Sequence, residues 1–292
     1  MSIRLVVTDM DNTLYSWIDY IVPSVEAMVD AVVRATGFPR IQVVQALKEV
    51  YARYESNEYP FALQESAIFK AFPEFGSFDK LIIEPARTAF AYARKKYLVP
   101  YKEVVDTLAA LKERKVIVVA LTDAPMNPAQ ARVKALGLDS YLSAIYTMPG
   151  FQFPRGQDGS PLVAAEIIHK HEARAYEAKC QAIELPREWE KPNPAGLKKI
   201  LSTYGLSPKE VLVVGDSLKK DIAVAQAVGC HDAWAEYGTY VSTEYRERLD
   251  IVSSPAITRR HAAHVLEGGT QPVRASRSLS SYGQILGLVD TL

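Results

Sequence analysis

The chain has 292 residues, of which 48% are hydrophobic, and its 34 basic and 34 acidic side chains give a formal net charge of zero. This length and composition predict a globular core, built as one large domain or as a domain with a smaller one. The neutral charge excludes a general nucleic-acid binder, and no run approaches about 18 apolar residues, so we expect neither a nucleic-acid nor a membrane partner.

The cysteine content and the start of the chain indicate the compartment. Cys180 and Cys230 are too few for a disulfide framework and predict ordinary thiols in a reducing environment. Residues 1–4 lead directly into a predicted strand, without the layout of a signal peptide. We therefore expect a cytoplasmic protein, whose oligomeric state the sequence leaves open.

Four short apolar runs predict parallel strands. They are rich in Val and Ile and do not alternate with polar residues, which is typical of strands covered on both faces. They comprise residues 5–8, 116–121, 144–147 and 211–214. Helical periodicity lies between the later runs, at residues 101–114, 128–136 and 194–204. This alternation predicts an α/β fold with a doubly wound parallel sheet.

Residues 16–99 interrupt this alternation, because they contain helical patterns and no clear strand. The predicted helices comprise residues 24–36, 41–54, 62–71 and 84–96. We therefore divide the chain into an α/β core, residues 1–15 and 100–292, and an inserted α-helical domain, residues 16–99.

Two further insertions lie within the predicted core, at about residues 149–190 and 239–278. The first begins with a loop rich in Gly and Pro, residues 149–161, and continues into a predicted polar helix, residues 162–183. The second mixes Pro, Gly, Arg and Ser with weak periodicity, so we expect it to be partly irregular. Residues 282–292 return to an apolar pattern and predict a closing helix.

The acidic pair Asp9 and Asp11 follows the first predicted strand directly. Two acids two residues apart point the same way if the chain stays extended, and the carboxyl ends of strands in open α/β sheets usually bind ligands. Two carboxylates held together need a cation between them or a shared proton. The pair therefore indicates a metal site, or a nucleophile beside a general acid.

Three other motifs follow in order along the chain. The strand at residues 116–121 ends in Thr122 and Asp123, and Lys191 comes just before the helical pattern of residues 194–204. The strand at residues 211–214 runs into a Gly-Asp turn that contains Asp216, with Asp221 five residues further on. Each motif is common by itself, but in this order at strand ends they support one another.

Together the four motifs resemble the haloacid dehalogenase superfamily of phosphohydrolases. The superfamily pattern is DxDx[T/V], a strand-end Ser or Thr, a Lys, and then GDSxxxD or a relative. The resemblance covers residues 1–15, about 100–238 and the terminal helix. It implies a Rossmann-like core, with the inserted helical block in the place where the family carries its first type of cap domain.

The resemblance implies a role for each motif residue. Asp9 would attack phosphorus to form an aspartyl-phosphate, and Asp11 would act as general acid and then as general base. Thr122 would donate its hydroxyl to a phosphoryl oxygen, and backbone N–H groups near Asp123 would add donors at a helix start. Lys191 would hold the nucleophile and offset charge on the phosphoryl group. Lys170 and Lys179 are alternatives for this lysine.

The resemblance also implies a Mg²⁺ cofactor, since the donors are oxygens and the substrate is a phosphate. Its ligands would be the Asp9 carboxylate, the main-chain carbonyl of Asp11 and the Asp216 carboxylate. Asp221 would serve as a further acidic ligand, directly or through water, and Ser217 would stand behind these ligands as a supporting hydroxyl.

The presence of Asp11 favours phosphoryl transfer over carbon–halogen cleavage, because the dehalogenases of the superfamily lack this second aspartate. We expect a Mg²⁺-dependent phosphomonoesterase whose partner is a small phosphorylated metabolite. Phosphoglycolate, a sugar phosphate and a nucleoside monophosphate remain open as substrates. The alternatives are a phosphomutase, a phosphonate or haloacid hydrolase, and a non-catalytic protein that binds a phosphate ligand.

Substrate selectivity is expected to reside in the helical block, which would close over the site as a lid. Aromatic and basic side chains near the predicted site are candidates for substrate contact, although structural packing explains such residues more often. They are Tyr15, Trp17, Tyr20, Arg53 and Tyr54. The insertion at residues 149–190 is expected to form a lip beside the active site.

Overall fold

A parallel β-sheet forms the centre of the protein. The computed structural model describes residues 2–71, 75–155, 178–262 and 273–292. Within these ranges the sheet has six strands in the order β4-β3-β2-β1-β5-β6, and every neighbouring pair is parallel. The strands are β1 (Leu5–Thr8), β2 (Ile117–Pro125), β3 (Ala144–Met148), β4 (Gln181–Glu184), β5 (Val211–Gly215) and β6 (His231–Trp234). The predicted doubly wound α/β fold is confirmed.

Helices cover the sheet and form most of residues 17–97. They are α1 (Trp17–Thr36), α2 (Arg40–Tyr54), α3 (Ala67–Lys70), α4 (Phe75–Phe78), α5 (Glu84–Tyr97), α6 (Val104–Glu113), α7 (Met126–Ala135), α8 (Ala195–Tyr204), α9 (Ala223–Val228), α10 (Thr243–Val252), α11 (Pro255–Ala262) and α12 (Ile285–Thr291). Among the described residues, none of the helices combines the length and the apolar character that crossing a bilayer would require.

The two outer strands were absent from the sequence prediction. β4 occupies residues that we assigned to the end of a polar helix, residues 162–183, and this part of the assignment is wrong; residues 156–177 lie outside the described ranges. Both strands have only four residues and carry polar side chains, Gln181 and Glu184 in β4 and His231 and Asp232 in β6. Their pairing uses backbone groups, so no apolar run marks them.

The helical block, residues 16–99, follows the predicted pattern with three corrections, one of which is the additional short helix α4. α1 begins at Trp17 rather than at residue 24, and the Ser16 side chain caps its first turn by accepting from the N–H of Asp19 at 3.2 Å. The predicted helix at residues 62–71 contracts to the four residues of α3, because residues 57–65 form turns that place Tyr59 and Phe61 in the core. The buried faces of α1 and α5 pack against each other.

The insertion at residues 239–278 contains two helices, α10 and α11, where the sequence predicted a partly irregular segment; residues 263–272 lie outside the description. This insertion contacts the helical block. Arg248 of α10 donates from Nη2 to Glu26 Oε2 of α1 at 2.7 Å, and Lys48 of α2 donates to the carbonyl oxygen of Asp250 at 2.8 Å. The helical block is therefore held by residues that follow the sheet in sequence.

Candidate active site

The site begins at the carboxyl end of β1, where Asp9 follows the strand. The N–H of Asp9 donates to the carbonyl oxygen of Val214 at 2.8 Å, which continues the pairing of β1 with β5. Since β1 lies between β2 and β5, residues at the ends of all three strands meet at one edge. Asp9, Thr122 and Asp216 therefore line the same cavity, which has a volume of about 740 Å³.

Lys191 is buried among the acidic residues of this edge. Its Nζ donates to Asp9 Oδ1 at 2.9 Å, to Asp221 Oδ1 at 2.6 Å and to the carbonyl oxygen of Leu121 at 3.2 Å. These contacts use all three hydrogens of the ammonium group and fix its position against the Asp9 carboxylate. Of the two alternatives, Lys170 lies outside the described residues. Lys179 lies just before β4, and its main-chain N–H donates to Asp139.

Asp216 and Asp221 lie just after β5, where the chain turns tightly. The N–H of Ser217 donates to Asp221 Oδ2 at 3.0 Å, so both oxygens of Asp221 have donors, one from Ser217 and one from Lys191. A Cβ atom at Gly215 would lie 2.2 Å from Asp221 Cγ, which explains the glycine at this position. Asp221 therefore orients Lys191 as well as being available to a cation.

The donor set fits a divalent metal ion. Carboxylate oxygens of Asp9, Asp216 and Asp221 all lie within 4.8 Å of one another, and hard oxygen donors of this kind suit Mg²⁺. Burial and the neighbouring acids raise the pKa of Asp216 well above its usual range, and burial raises the pKa of Asp9 to about 7 although Lys191 opposes the shift. Three carboxylates facing one lysine leave two negative charges when ionised, the charge that a divalent cation would balance.

Asn12, which the sequence analysis did not consider, helps to shape the acidic turn. It adopts a positive φ of 57°, its Oδ1 accepts from the N–H of Trp17 at 3.0 Å, and its Nδ2 lies 3.4 Å from Asp216 Oδ2. Gly238 packs directly on this turn, since a Cβ atom there would lie 1.5 Å from the carbonyl oxygen of Asn12. The Asn in the DxDN sequence is an indication of this turn, because Asn tolerates the left-handed backbone conformation.

Thr122 and Asp123 lie inside β2 rather than beyond its end. Thr122 is buried and lines the cavity, and its Oγ1 accepts from the N–H of Ala124 at 3.1 Å, which leaves the hydroxyl hydrogen available to donate. Asp123 accepts from the N–H of Lys191 at 3.0 Å and from Lys220 Nζ at 2.7 Å. α7 begins at Met126, close to the predicted start at residue 128 and three residues after Asp123, and it follows an irregular strand end. Donation by backbone N–H groups near Asp123 stays a prediction.

Asp11 lies at the cavity but faces a partner that the sequence analysis missed. Its Oδ2 accepts from Nη2 of Arg132, a fully buried residue of α7, at 3.2 Å. Burial raises the pKa of Asp11, and the guanidinium group opposes that shift. The sequence held an indication of this burial, because Arg132 lies on the same helix face as the apolar residues Ala129 and Val133.

The five candidates for substrate contact divide into two groups. Trp17 and Tyr54 line the cavity. Tyr15 and Tyr20 are fully buried, and their hydroxyl groups accept hydrogen bonds from Arg132. They do not line the cavity, so their side chains belong to the protein interior. Arg53 is also absent from the lining, because it points to Glu65 and donates to its carbonyl oxygen at 3.2 Å. For these three residues the prediction of substrate contact is not supported.

Parts of both insertions reach the cavity. The lining includes residues 149–155 from the first insertion and Ile257 of α11 from the second. The aromatic rings of Phe151 and Phe153 contact Tyr59 and Phe61 of the helical block, with centroid separations of 5.4 and 5.3 Å. The start of the first insertion therefore lies beside the site and against the helical block.

Comparison with known proteins places the chain in a family. The family model of haloacid dehalogenase-like hydrolases matches residues 3–188, and a HAD-hydrolase-like model matches residues 188–266. The chain belongs to the haloacid dehalogenase-like hydrolases. The match covers the described strands on both sides of the helical block, in agreement with the resemblance seen in the motifs.

Individual relatives match over shorter stretches. A glyceraldehyde 3-phosphate phosphatase of Pyrococcus furiosus is 41% identical over 64 residues, 21% of this chain and 27% of the relative. A phosphoglycolate phosphatase of Haemophilus influenzae is 28% identical over 138 residues, 47% of this chain and 45% of the relative. The chain thus spans less than half the length of either relative.

A solved structure supports the fold over nearly the whole chain. The 2-haloacid dehalogenase of Pseudomonas syringae superposes with a TM-score of 0.56 at 18% identity, covering 99% of this chain and 98% of that one. At this level of identity the likeness concerns the fold alone. Within the family, the chemistry has to be argued from the residues of the site.

Proposed function

We propose that this protein is a Mg²⁺-dependent phosphomonoesterase that hydrolyses a small phosphorylated metabolite through an aspartyl-phosphate on Asp9. The observation that carries the proposal is the Asp9 carboxylate, fixed by Lys191 at 2.9 Å beside Asp216, in a cavity that Asp11 and Thr122 also line. The relatives described above, a glyceraldehyde 3-phosphate phosphatase and a phosphoglycolate phosphatase, support this chemistry.

The first half of the reaction transfers the phosphoryl group to the protein. A carboxylate oxygen of Asp9 attacks phosphorus, and the bond between phosphorus and the ester oxygen breaks. Asp11 gives its proton to that leaving oxygen, so the product leaves as an alcohol. Thr122 donates a hydrogen bond toward a phosphoryl oxygen, and the positive charge of Lys191 beside Asp9 offsets the negative charge that has to be stabilised there.

The second half regenerates Asp9. Water attacks phosphorus, Asp11 takes one of its protons, and the bond between phosphorus and the Asp9 oxygen breaks to release phosphate. Asp11 thus ends the cycle protonated, as it began. Asp9 and Asp216 would hold the metal ion with the main-chain carbonyl of Asp11, and the bound ion would offset phosphate charge. Asp221 would act mainly by orienting Lys191.

Selectivity is assigned to the walls of the cavity away from the acids. We propose that the helical block, residues 16–99, works as a cap, and that residues 149–155 form a lip beside it. Trp17, Tyr54, Phe151 and Phe153 supply an aromatic wall, and Arg187 adds a cationic group. A compact metabolite with an apolar or anionic portion beyond its phosphate suits these surroundings.

A metabolite panel tests the proposal. Purified protein with Mg²⁺ is assayed for phosphate release from phosphoglycolate, sugar phosphates and nucleoside monophosphates, with halide release from a haloacid measured in parallel. We expect phosphate release from at least one ester and no halide release from the haloacid. Conversion of one sugar phosphate into its isomer without phosphate release would indicate a phosphomutase, and activity on the haloacid alone would contradict the proposal.

Metal binding gives a prediction that does not need the substrate. With Mg²⁺ at about 100 times its Kd, the ion should stabilise the fold by about 2.7 kcal/mol, which corresponds to roughly 5 °C in Tm. Because burial raises the pKa of Asp9 to about 7, protons compete with the ion, and the shift should be larger at pH 8 than at pH 6. Thermal melts with Mg²⁺ and with a chelator measure it.

The matched variants for this measurement are Asp216→Asn and Asp290→Asn. Asp290 is an exposed residue of α12 that accepts from Arg114 at 2.8 Å, far from the acidic cluster in sequence. We expect the Mg²⁺-dependent shift to fall by more than half in the Asp216 variant and to persist in the Asp290 variant. Equal shifts in both variants would show that the ion binds elsewhere.

A further inference from the structure

Arg132 carries a charge in the interior of the protein, and the proposed chemistry does not use it directly. Its side chain is fully buried and does not line the cavity. A buried guanidinium group is costly unless charged and polar partners surround it. The arrangement of those partners indicates what the residue does.

The partners lie on both sides of the boundary between the core and the helical block. On the core side, Arg132 Nη2 contacts Asp11 Oδ2 at 3.2 Å, and Nε donates to the Tyr15 hydroxyl at 2.7 Å. That hydroxyl lies beside Asp11 and lowers the pKa of its carboxyl group. Asp11 is therefore held by the guanidinium group, which also fixes the neighbouring Tyr15 hydroxyl.

On the other side, the Nη1 group of Arg132 donates to the carboxylate of Glu58 and to the Tyr20 hydroxyl, the latter at 3.1 Å. Glu58 comes from the helical block and also accepts from the Tyr20 hydroxyl at 3.0 Å. One buried cation thus lies between two carboxylates, Asp11 of the core and Glu58 of the helical block.

We propose that Arg132 is a positioning residue for Asp11, and that Glu58 completes its pairing so that the general acid is aligned when the helical block lies against the core. This inference rests on the proposed phosphatase function. The planar guanidinium fork fixes the direction of the Asp11 carboxylate, which a flexible ammonium group would not do. Because Arg132 lies outside the cavity, it acts on the reaction through Asp11.

The leaving group makes this role measurable. An alkyl phosphate needs a proton on its departing oxygen, whereas p-nitrophenyl phosphate releases a stabilised phenolate and needs little help. In Arg132→Lys, we expect kcat/KM to fall about 10- to 100-fold for the alkyl phosphate that wild type hydrolyses best, since misplacement by about 1 Å costs that much. The fall for p-nitrophenyl phosphate should stay below about threefold.

A double-mutant cycle with Asp11→Asn separates positioning from structural support. In Asp11→Asn, kcat/KM for the alkyl ester should fall about 10²–10⁴-fold, which is the usual contribution of general acid catalysis. If Arg132 acts through Asp11, adding Arg132→Lys to this variant should cause less than about a twofold further loss. A purely structural role predicts that both esters suffer equally and that the two losses multiply.

Three further variants keep the test decisive if the lysine variant folds poorly. Tyr15→Phe removes the hydroxyl that accepts from Arg132 Nε, and Glu58→Gln removes the charge of the second carboxylate. Both variants should show the same preference for the aryl ester, with a smaller loss of about 3- to 10-fold. Arg248→Met is the control, because it breaks the ion pair with Glu26 between α10 and the helical block without touching Asp11. Both esters should react within twofold of wild type in that variant.

The outcomes distinguish this inference from the function on which it rests. A wild type that hydrolyses neither ester with Mg²⁺ present would overturn the proposed function and this inference with it. An active wild type, combined with equal losses on both esters in the Arg132, Tyr15 and Glu58 variants, would overturn the positioning role alone. Selective loss on the alkyl ester, absent from the Arg248 variant, supports it.

Discussion

Asp9→Asn should reduce turnover to below about one thousandth of wild type while the protein stays folded. The amide is isosteric with the carboxylate but is a poor nucleophile, and the removal of a catalytic nucleophile costs hydrolases up to about 10⁶-fold in kcat. Phosphate release from the best ester of the panel, measured with Mg²⁺, gives the loss. Acid quenching during turnover should trap a phosphorylated protein in wild type and none in this variant.

Asp290→Asn is the matched control, since it replaces an exposed aspartate by the same amide and should keep wild-type turnover. Thermal melts check that the Asp9 variant folds. Phosphorylated protein in that variant would place the nucleophile at another residue. Wild-type protein that binds phosphate esters but releases no phosphate would favour the alternative of a non-catalytic protein that binds a phosphate ligand.

The central part of this fold could be predicted because its strands are apolar on both faces. β1, β2, β3 and β5 begin within one residue of the predicted runs and end within four, and Asp9, Thr122 and Asp216 lie in or directly after three of these strands. The outer strands could not be predicted in the same way. β4 and β6 have four residues each, and backbone pairing with a neighbour, rather than a buried side-chain pattern, makes them strands.

The candidate site divides along a similar line. The motif residues could be named from the sequence because strand ends meet at one edge of a parallel sheet, and Lys191 reaches Asp9 although 182 residues separate them. The position of Arg132 within a buried stripe could be noticed, but its role could not be assigned, because its partners are distant in sequence. Asp11 lies 121 residues away, Tyr15 lies 117 away and Glu58 lies 74 away.

The contribution of the second insertion is also a tertiary property. Its weak periodicity gave no helix, yet α10 and α11 pack on the helical block, and Asn57 donates to the carbonyl oxygen of Val252 at 3.2 Å. Contacts of this kind supply the packing that local propensity lacks. They also bring Ile257 to the cavity, so the segment contributes to the site and to the support of the proposed cap.

Lys191→Met should damage both activity and stability, because one ammonium group serves the nucleophile and the acidic cluster. Without it, we expect turnover to fall at least about 10³-fold, as the variant loses a preorganised cation next to the transferred phosphoryl group. The methionine fills a similar volume, so the loss would follow from charge rather than from a cavity. Phosphate release with saturating Mg²⁺ measures this part.

The stability loss follows from the carboxylates left behind. Lys191 lowers the pKa of Asp9 and Asp216, so its removal raises both further and makes ionisation of the buried cluster more costly. Unpairing a buried ion pair costs about 3–5 kcal/mol, and protonation relieves part of this cost. Urea unfolding in a chelator should therefore show a larger loss at pH 8 than at pH 6, with Mg²⁺ restoring part of it.

Lys112→Met is the comparison for both measurements, since Lys112 is exposed and its hydrogen bond among the described residues goes to the carbonyl oxygen of Ser140, at 2.9 Å. Its unfolding free energy should change by less than about 0.5 kcal/mol, the usual limit for surface substitutions. Equal stabilities of the two variants at pH 8 would mean that the acidic cluster does not depend on Lys191. Full turnover in the Lys191 variant would remove this lysine from the mechanism, because no step could then need its charge beside Asp9.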